Sequence, residues 1–296
     1  MPELPEVEVL RCHLEPLLVG KQVSGFQVLK PRVVRPETPQ QLENGVAGCS
    51  IKGVGRKGKF LWLDLAKARS RKTFRLTIHL GMTGRLFVQD SGDPLPGHTA
   101  AVLGLGRKRL VFRDPRSFGR VTLETDSLDQ LGVDALSDEF LVERLRDALA
   151  ITGQAVKVRL MDQRHIAGLG NIYVCEVLHL ARVSPFEAAS KLPLGKVKAL
   201  HQAIRNTLQK QVELGLKLNL DFAGEGKSDG LFYFGSASTQ APQSRERFRV
   251  YGREGEACPT CGSKIVRAEQ SKRGTFFCPQ CQQREWHSQL QILELS

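Results

Sequence analysis

Met1-Pro2-Glu3-Leu4-Pro5-Glu6-Val7-Glu8 opens the chain and sets a secondary amine beside a carboxylate once Met1 is removed. The small Pro2 side chain favours that removal. An α-amino group titrates near pH ~8, so an appreciable fraction is neutral at cellular pH, where lysine is almost wholly charged. A neutral secondary amine attacks carbon. The iminium ion it would form with a sugar C1′ has no proton to lose from nitrogen, and this fixed cation acidifies C2′ for elimination. Glu3, next in sequence, is placed to move the protons. The same residues also suit a plain helix start, with Pro5 in the first turn and Glu3, Glu6 and Glu8 at the positive end of the helix dipole. From these residues alone both readings stand.

Outward from this stretch, Val7, Leu10, Leu14, Leu17 and Leu18 recur at helical spacing, which predicts an amphipathic helix over 4–18 ending at Gly20. Short β-branched or aromatic runs follow at 23–29, 51–54, 60–65, 74–79, 84–88, 100–105, 109–113 and 119–123, each bounded by Gly, Pro, Asp or Ser. So many short strands predict a β-sandwich or barrel carrying the N-terminal helix. Beyond the unpatterned polar stretch 124–130 the period changes, and helices are predicted at 140–150, 154–161, 171–181 and 196–214. The resulting fold class is α+β and multidomain: residues 1–130, a helical part 131–244, a ribbon 245–283 and a tail 284–296. Gly224, Gly226, Gly230 and Gly235, with several Ser and Thr, mark a long loop over 217–245.

The 296 residues carry 43 Lys+Arg against 31 Asp+Glu, a formal charge of +12. That balance points to an anionic polymer, nucleic acid being the usual one, and sets attraction without specifying chemistry. Neither a signal peptide nor a run approaching the ~20 apolar residues of a membrane span is present, so a cytoplasmic protein is expected. Seven cysteines in that compartment argue against a disulfide framework. Four of them, Cys258, Cys261, Cys278 and Cys281, form two C-x-x-C pairs flanking residues 262–277, the spacing of a structural Zn2+ site in a hairpin ribbon. Cys12, Cys49 and Cys175 are scattered and read as packed or surface thiols.

Further motifs recur in order: R-K-G-K-F-L at 56–61, H-L-G-M-T-G at 79–84, D-P-R-S-F-G at 114–119, G-L-G-N-I-Y at 168–173 and V-Y-G-R at 250–253. Together with the Pro-Glu start and the ribbon they resemble the formamidopyrimidine-DNA glycosylase family of base-excision repair enzymes, over roughly residues 2–283. P-E-L-P at the start is more like its purine-lesion branch than its endonuclease VIII branch.

The resemblance implies a helix-two-turn-helix hairpin, a structural zinc ribbon, and a monomer acting on double-stranded DNA with oxidised bases in a bacterial cytoplasm. It implies that Pro2 is the nucleophile, Glu3 the acid and base, Glu6 a supporting carboxylate and Lys59 an active-site cation. Met82, Arg116 and Phe118 would fill the space left by an extruded base, which costs a few kcal/mol to turn out of the stack. His79, His98, Asn171, Tyr251 and Arg267 would contact DNA, and Arg273, at the hairpin tip, would bridge phosphates at the lesion. Read one at a time these residues have plainer meanings: a solvated basic turn for Lys59, a core methionine, a surface arginine and a strand-end phenylalanine for the wedge, a simple helix turn for 168–171. The activity expected is excision of 8-oxoguanine and formamidopyrimidines followed by β,δ-elimination. The alternatives are a pyrimidine-lesion glycosylase and a non-catalytic zinc-ribbon protein that binds DNA. The long 217–245 loop, which in the family covers the extruded base, and the tail with Trp286 depart from the pattern.

Overall fold

The computed structural model describes residues 2–68, 70, 72–224, 233–234 and 248–283; Met1, most of the 217–245 loop and the tail with Trp286 lie outside them. In chain order the elements are α1 (Leu4–Leu18), β1 (Gly25–Val28), α2 (Pro39–Val46), β2 (Ser50–Lys57), β3 (Phe60–Ala66), β4 (Thr73–His79), β5 (Arg85–Asp90), β6 (Thr99–Leu105), β7 (Lys108–Arg113) and β8 (Arg120–Thr122). Next come α3 (Asp126–Asp129), β9 (Val133–Asp134), α4 (Val142–Ala150), α5 (Val156–Leu160), β10 (Ile166–Ala167), α6 (Asn171–Leu180), α7 (Leu194–Lys217), β11 (Val266–Gln270) and β12 (Arg273–Phe277). The chain divides into two compact units, Met1–Phe140 with Asp162–Gly170 and Arg205–Arg247, and Leu141–Met161 with Asn171–Ile204 and Phe248–Ser296.

The first unit is built on two four-stranded antiparallel sheets, ordered β1-β6-β7-β5 and β2-β3-β4-β8. Along β3 the burial alternates, with Leu61, Leu63 and Leu65 fully inside, as a strand with one covered face requires. Leu76, Ile78 and Val121 of that sheet line one interior space with Leu86, Leu103, Leu110 and Phe112 of the other, so the sheets face each other as a sandwich. Leu10, Leu14 and Leu18 of α1 belong to the same core cluster. The helix α2 is not among the elements predicted from hydrophobic spacing. Thr38 and Gln41 form its capping box, Gln41 N–H donating to Thr38 Oγ1 at 3.3 Å and Thr38 N–H to Gln41 Oε1 at 2.8 Å.

In the second unit α6 is buried on all sides, from Ile172 to His179. Its Cys175 shares a small core with Val250, Cys258, Ile265 and Cys278. The helix expected over 154–161 is shorter, because Ala155 is extended and bridges Ala188 while the Gln154 carbonyl accepts the Ala189 N–H. β11 and β12 pair antiparallel and are joined by Ser271 and Lys272, both with positive φ (50° and 59°), the mirror-image turn that suits hairpin twist.

Leu63→Ala should test the sandwich core. Removing a fully buried side chain at the centre of β3 should cost about 2–5 kcal/mol, read as a shift in the denaturant midpoint of the first unit. A change below about 1 kcal/mol would mean that the sheets do not pack through this face.

Candidate active site and zinc centre

In the first unit, Pro2 and Glu3 lie at the start of α1, and both are buried. Glu3 is the N-cap, and its backbone N–H donates to Glu6 Oε2 at 2.8 Å. Glu6 is itself inside and so serves as a brace that fixes Glu3. The Glu3 carboxyl rests on Gly170: a β-carbon there would collide with Glu3 Cδ and Oε1. Gly168, at φ +112°, is packed in the same way against Leu4, whose N–H donates to the Gly168 carbonyl at 3.3 Å. Gly168 and Gly170 are therefore required by the end of α1.

Lys59 and Gly58 form the two-residue turn between β2 and β3. Gly58 has φ +58°, and its N–H donates to Asp134 Oδ2 at 2.6 Å. Arg56 on β2 gathers two carboxylates: Nε donates to Glu8 Oε2 at 2.6 Å, Nη1 to Asp134 Oδ2 at 2.6 Å and Nη2 to Asp134 Oδ1 at 3.1 Å. Burial pushes the Glu8 carboxyl up, but Arg11 and Arg56 outweigh it and hold its pKa below the usual value. Across the sheet, Phe60 pairs with His79, and their rings lie 4.6 Å apart. His79 Nδ1 accepts the Gly81 N–H at 3.1 Å, which leaves Nε2 as the protonated nitrogen of the neutral ring. Burial, then the charges of Lys59 and Arg120, lower its pKa to about 4.

The three expected wedge residues come together. Met82 and Phe118 are exposed apolar side chains, and the Arg116 guanidinium lies 4.5 Å above the Phe118 ring. Gly81, at φ +64°, abuts the backbone of Phe118 and Gly119, so the Met82 turn touches the 116–119 turn. The fully buried Asp114 ties both, accepting from Thr83 Oγ1 at 2.8 Å through Oδ1 and from Gly119 N–H at 2.8 Å through Oδ2. His98 is exposed with φ 66°, and its carbonyl accepts the Asp114 N–H at 3.0 Å. Tyr233, within the 217–245 loop, is pinned at the start of β5: its hydroxyl donates to the Gly84 carbonyl at 2.9 Å, and Arg85 donates to its carbonyl at 2.5 Å.

In the second unit Asn171 is the first residue of α6, and its Nδ2 donates to the Gly274 carbonyl at 2.9 Å. The buried Lys157 holds the same hairpin, its Nζ donating to Thr275 Oγ1 at 2.7 Å and to the Gly274 carbonyl at 3.2 Å. Arg273 is exposed at the start of β12, just past the turn. Arg267 is exposed on β11, while the Tyr251 ring packs edge-on to Phe248 and Phe276. The sulfurs of Cys258, Cys261, Cys278 and Cys281 all lie within 4.8 Å of one another. Thiolates around a metal at Zn–S bonds of about 2.3 Å stand about 3.8 Å apart, so the cluster fits a closed tetrahedron. Backbone N–H groups of Thr260 and Cys281 donate to Cys258 and Cys278, each at 3.4 Å, which completes the fit to a thiolate site.

Three family models match the chain: formamidopyrimidine-DNA glycosylase N-terminal domain over residues 1–121, its H2TH domain over 131–220, and a zinc finger found in FPG and IleRS over 255–284. The formamidopyrimidine-DNA glycosylase of Pelotomaculum thermopropionicum is 38% identical over 95% of this chain and 99% of its own length. The chain belongs to the formamidopyrimidine-DNA glycosylase family. The enzyme of that name from Roseiflexus sp. is 37% identical over 95% of this chain and 100% of its own. A Lactococcus lactis member solved with Fapy-dG-containing DNA superposes with a TM-score of 0.81 at 31% identity, covering 96% of this chain and 100% of that one. Another complex of the L. lactis protein, with DNA containing an abasic site, gives a TM-score of 0.80 at 30% identity over the same shares of the two chains. As a family member the chain is a DNA-repair glycosylase whose four cysteines hold one structural zinc ion. Among the described residues no helix is long and apolar enough to cross a membrane.

Sequence reasoning missed the braces of this glycosylase: Glu8, Arg56, Asp134, Asp114 and Lys157. Glu8, Arg56 and Asp114 each lie in a motif, the opening stretch, R-K-G-K-F-L and D-P-R-S-F-G, but nothing local gave their role as braces; Asp134 and Lys157 lie in none, and their partners are far along the chain.

The depressed pKa of His79 sets a pH dependence. The folded ring stays neutral down to about 4, whereas the unfolded ring takes a proton near 6.5, so stability present at neutral pH should fall as pH drops from 6.5 toward 4. His79→Gln should flatten that part of the denaturant-midpoint profile. An unchanged slope would show that His79 titrates normally in the folded state.

Proposed function

We propose that this chain is a bifunctional DNA glycosylase and AP lyase that excises 8-oxoguanine and formamidopyrimidines from duplex DNA and then cuts the strand, as a monomer in a bacterial cytoplasm. Pro2, exposed by removal of Met1, is the nucleophile. Its nitrogen gives up a proton and bonds C1′ as the bond from C1′ to the base breaks, and the base leaves with the bonding pair and takes up a proton. Glu3 protonates O4′ as the C1′–O4′ bond opens, which completes the iminium ion. Loss of the acidified C2′ proton to the Glu3 carboxylate expels the 3′ phosphate, and a second elimination expels the 5′ phosphate.

The observation that carries this reading is the seat of Glu3. A carboxyl with no exposed surface, locked in a capping box with Glu6 and packed on the α-carbon of Gly170, is held in a single position. It stands one residue from the proline amine, where ring opening and elimination need a proton carrier. The oxidised-purine substrate rests on the relatives' name and on the L. lactis complexes with Fapy-dG and abasic DNA. Lys59 and Arg273 serve the reacting sugar and its phosphates; His79, His98, Asn171, Tyr251 and Arg267 hold the DNA. His79 does so as a neutral Nε2–H donor. Met82, Arg116 and Phe118 occupy the space of the extruded base, with Arg116 reading the partner left behind.

Borohydride added to the protein on an 8-oxoguanine duplex should trap a covalent adduct on Pro2. Glu3→Gln should lose excision about 100-fold or more while keeping duplex affinity, because it removes proton transfer and retains shape. Fully active protein that retains Met1, or undiminished excision by the Glu3 variant, would overturn the mechanism.

The wedge is tested separately. Arg116→Ala should lose excision of 8-oxoguanine from duplex and relax the preference for the opposite base, yet keep much of its cleavage at a preformed abasic site, where no base has to be extruded. Equal losses on the two substrates would place Arg116 in general binding or folding.

A further inference from the structure

His179, in the last turn of α6, takes no part in the chemistry above, yet it is one of the most enclosed polar side chains of the second unit, at 3% exposure. Its Nε2 lies 3.3 Å from Cys258 Sγ. Its Nδ1 is buried and has no hydrogen-bond partner among the described residues. We infer that His179 is an outer-sphere positioning residue of the zinc centre, its Nε2–H donating a hydrogen bond to the Cys258 thiolate.

The tautomer follows from the sulfur. A thiolate bound to zinc carries no proton, so the short contact is favourable only if the imidazole supplies one, which places the ring proton on Nε2. Cys258 Sγ then receives two donors, the Thr260 N–H from within the ribbon and His179 from α6. Donors to a ligating sulfur draw off part of its charge and fix its direction, and loss of such partners typically costs about 10–100-fold in metal affinity.

The contact also has a mechanical meaning, because the same helix grips the ribbon at two other levels. The Glu176 carboxylate accepts the backbone N–H groups of Arg249, Val250 and Tyr251 at 2.7–2.9 Å, and Asn171 Nδ2 holds the Gly274 carbonyl. Of these three levels only His179 touches a metal ligand. It therefore links occupancy of the metal site to the seating on α6 of the hairpin that bears Arg273. This inference rests on the zinc site and is independent of the imine chemistry proposed for Pro2.

The test uses the full-length zinc-loaded protein and two variants, His179→Phe, which keeps a planar ring and removes the donor, and His179→Gln, which restores one. Competition with a chromophoric chelator should show zinc affinity lowered about 10-fold or more in the Phe variant and largely recovered in the Gln variant. Substitution with Co2+ should give the visible spectrum of a four-sulfur site in all three proteins. Nitrogen-detected NMR of the wild type should find the His179 proton on Nε2, a readout that survives even if the Phe variant fails to fold. Unchanged zinc affinity in both variants, a proton on Nδ1, or a cobalt spectrum with a nitrogen ligand in the wild type would each overturn the inference, the last by making His179 a direct ligand.

Discussion

The first unit depends on the guanidinium of Arg56. It joins Glu8, one turn into α1, to Asp134 at the end of β9, while Asp134 also receives the N–H of Gly58 in the turn that presents Lys59. Three pieces of chain with no sequence proximity are thereby held in one geometry: the helix that begins at Glu3, the turn bearing Lys59, and the segment paired with β10 that leads into Gly168 and Gly170. A buried cation between two carboxylates gains little net stability over an apolar substitute, since both signs must be taken out of water. What it gains is direction. Five donors in a rigid fork fix the angles between the elements they join, which a patch of leucines would not do. Breaking one arm would leave a charge inside without its partner, a loss of about 3–5 kcal/mol.

How much of this was legible follows from the range over which each signal acts. The helix over 4–18, the paired strands 60–65 and 74–79, and the four zinc ligands are local patterns, set by periods of about 3.6 and 2 residues or by a short ligand spacing, and they stand where the sequence put them. Pro2, Glu3 and Lys59 were legible as candidates through their motifs, because a motif is also local. The braces were not, since Arg56 to Asp134 or Lys157 to Thr275 joins residues whose meeting depends on the whole topology. One local element was missed and one reading went astray, for related reasons. α2 carried a readable capping box at Thr38 and Gln41 but only a short apolar stripe of Leu42 and Val46, and the start of the 154–161 helix was pulled into an extended bridge with Ala188.

The glycines of the 168–171 motif teach a similar lesson. A Gly-rich turn before a helix suggests room for a ligand's phosphate, but here Gly168 and Gly170 are bare because Leu4 and Glu3 already occupy the space a β-carbon would take. The motif at 168–171 and the motif at 2–8 are thus two sides of one contact. Their joint presence in a sequence reports a packing constraint as much as a chemical one.

The acids of this basic chain are arranged by the same logic. Glu6, Glu37, Asp114, Asp134 and Glu176 each accept at least one backbone N–H, and all but Glu37 do so from inside the protein. A carboxylate committed to an internal N–H turns its charge toward its own backbone, whereas Arg116 and Lys272 on turns and Arg273 at the start of β12 remain exposed. The formal charge of +12 is only a sum, and what an approaching polyanion meets is its distribution. By folding part of its negative charge into braces, the chain keeps the residues that fix its geometry separate from the cations it presents outward, so the two tasks can be altered independently by substitution.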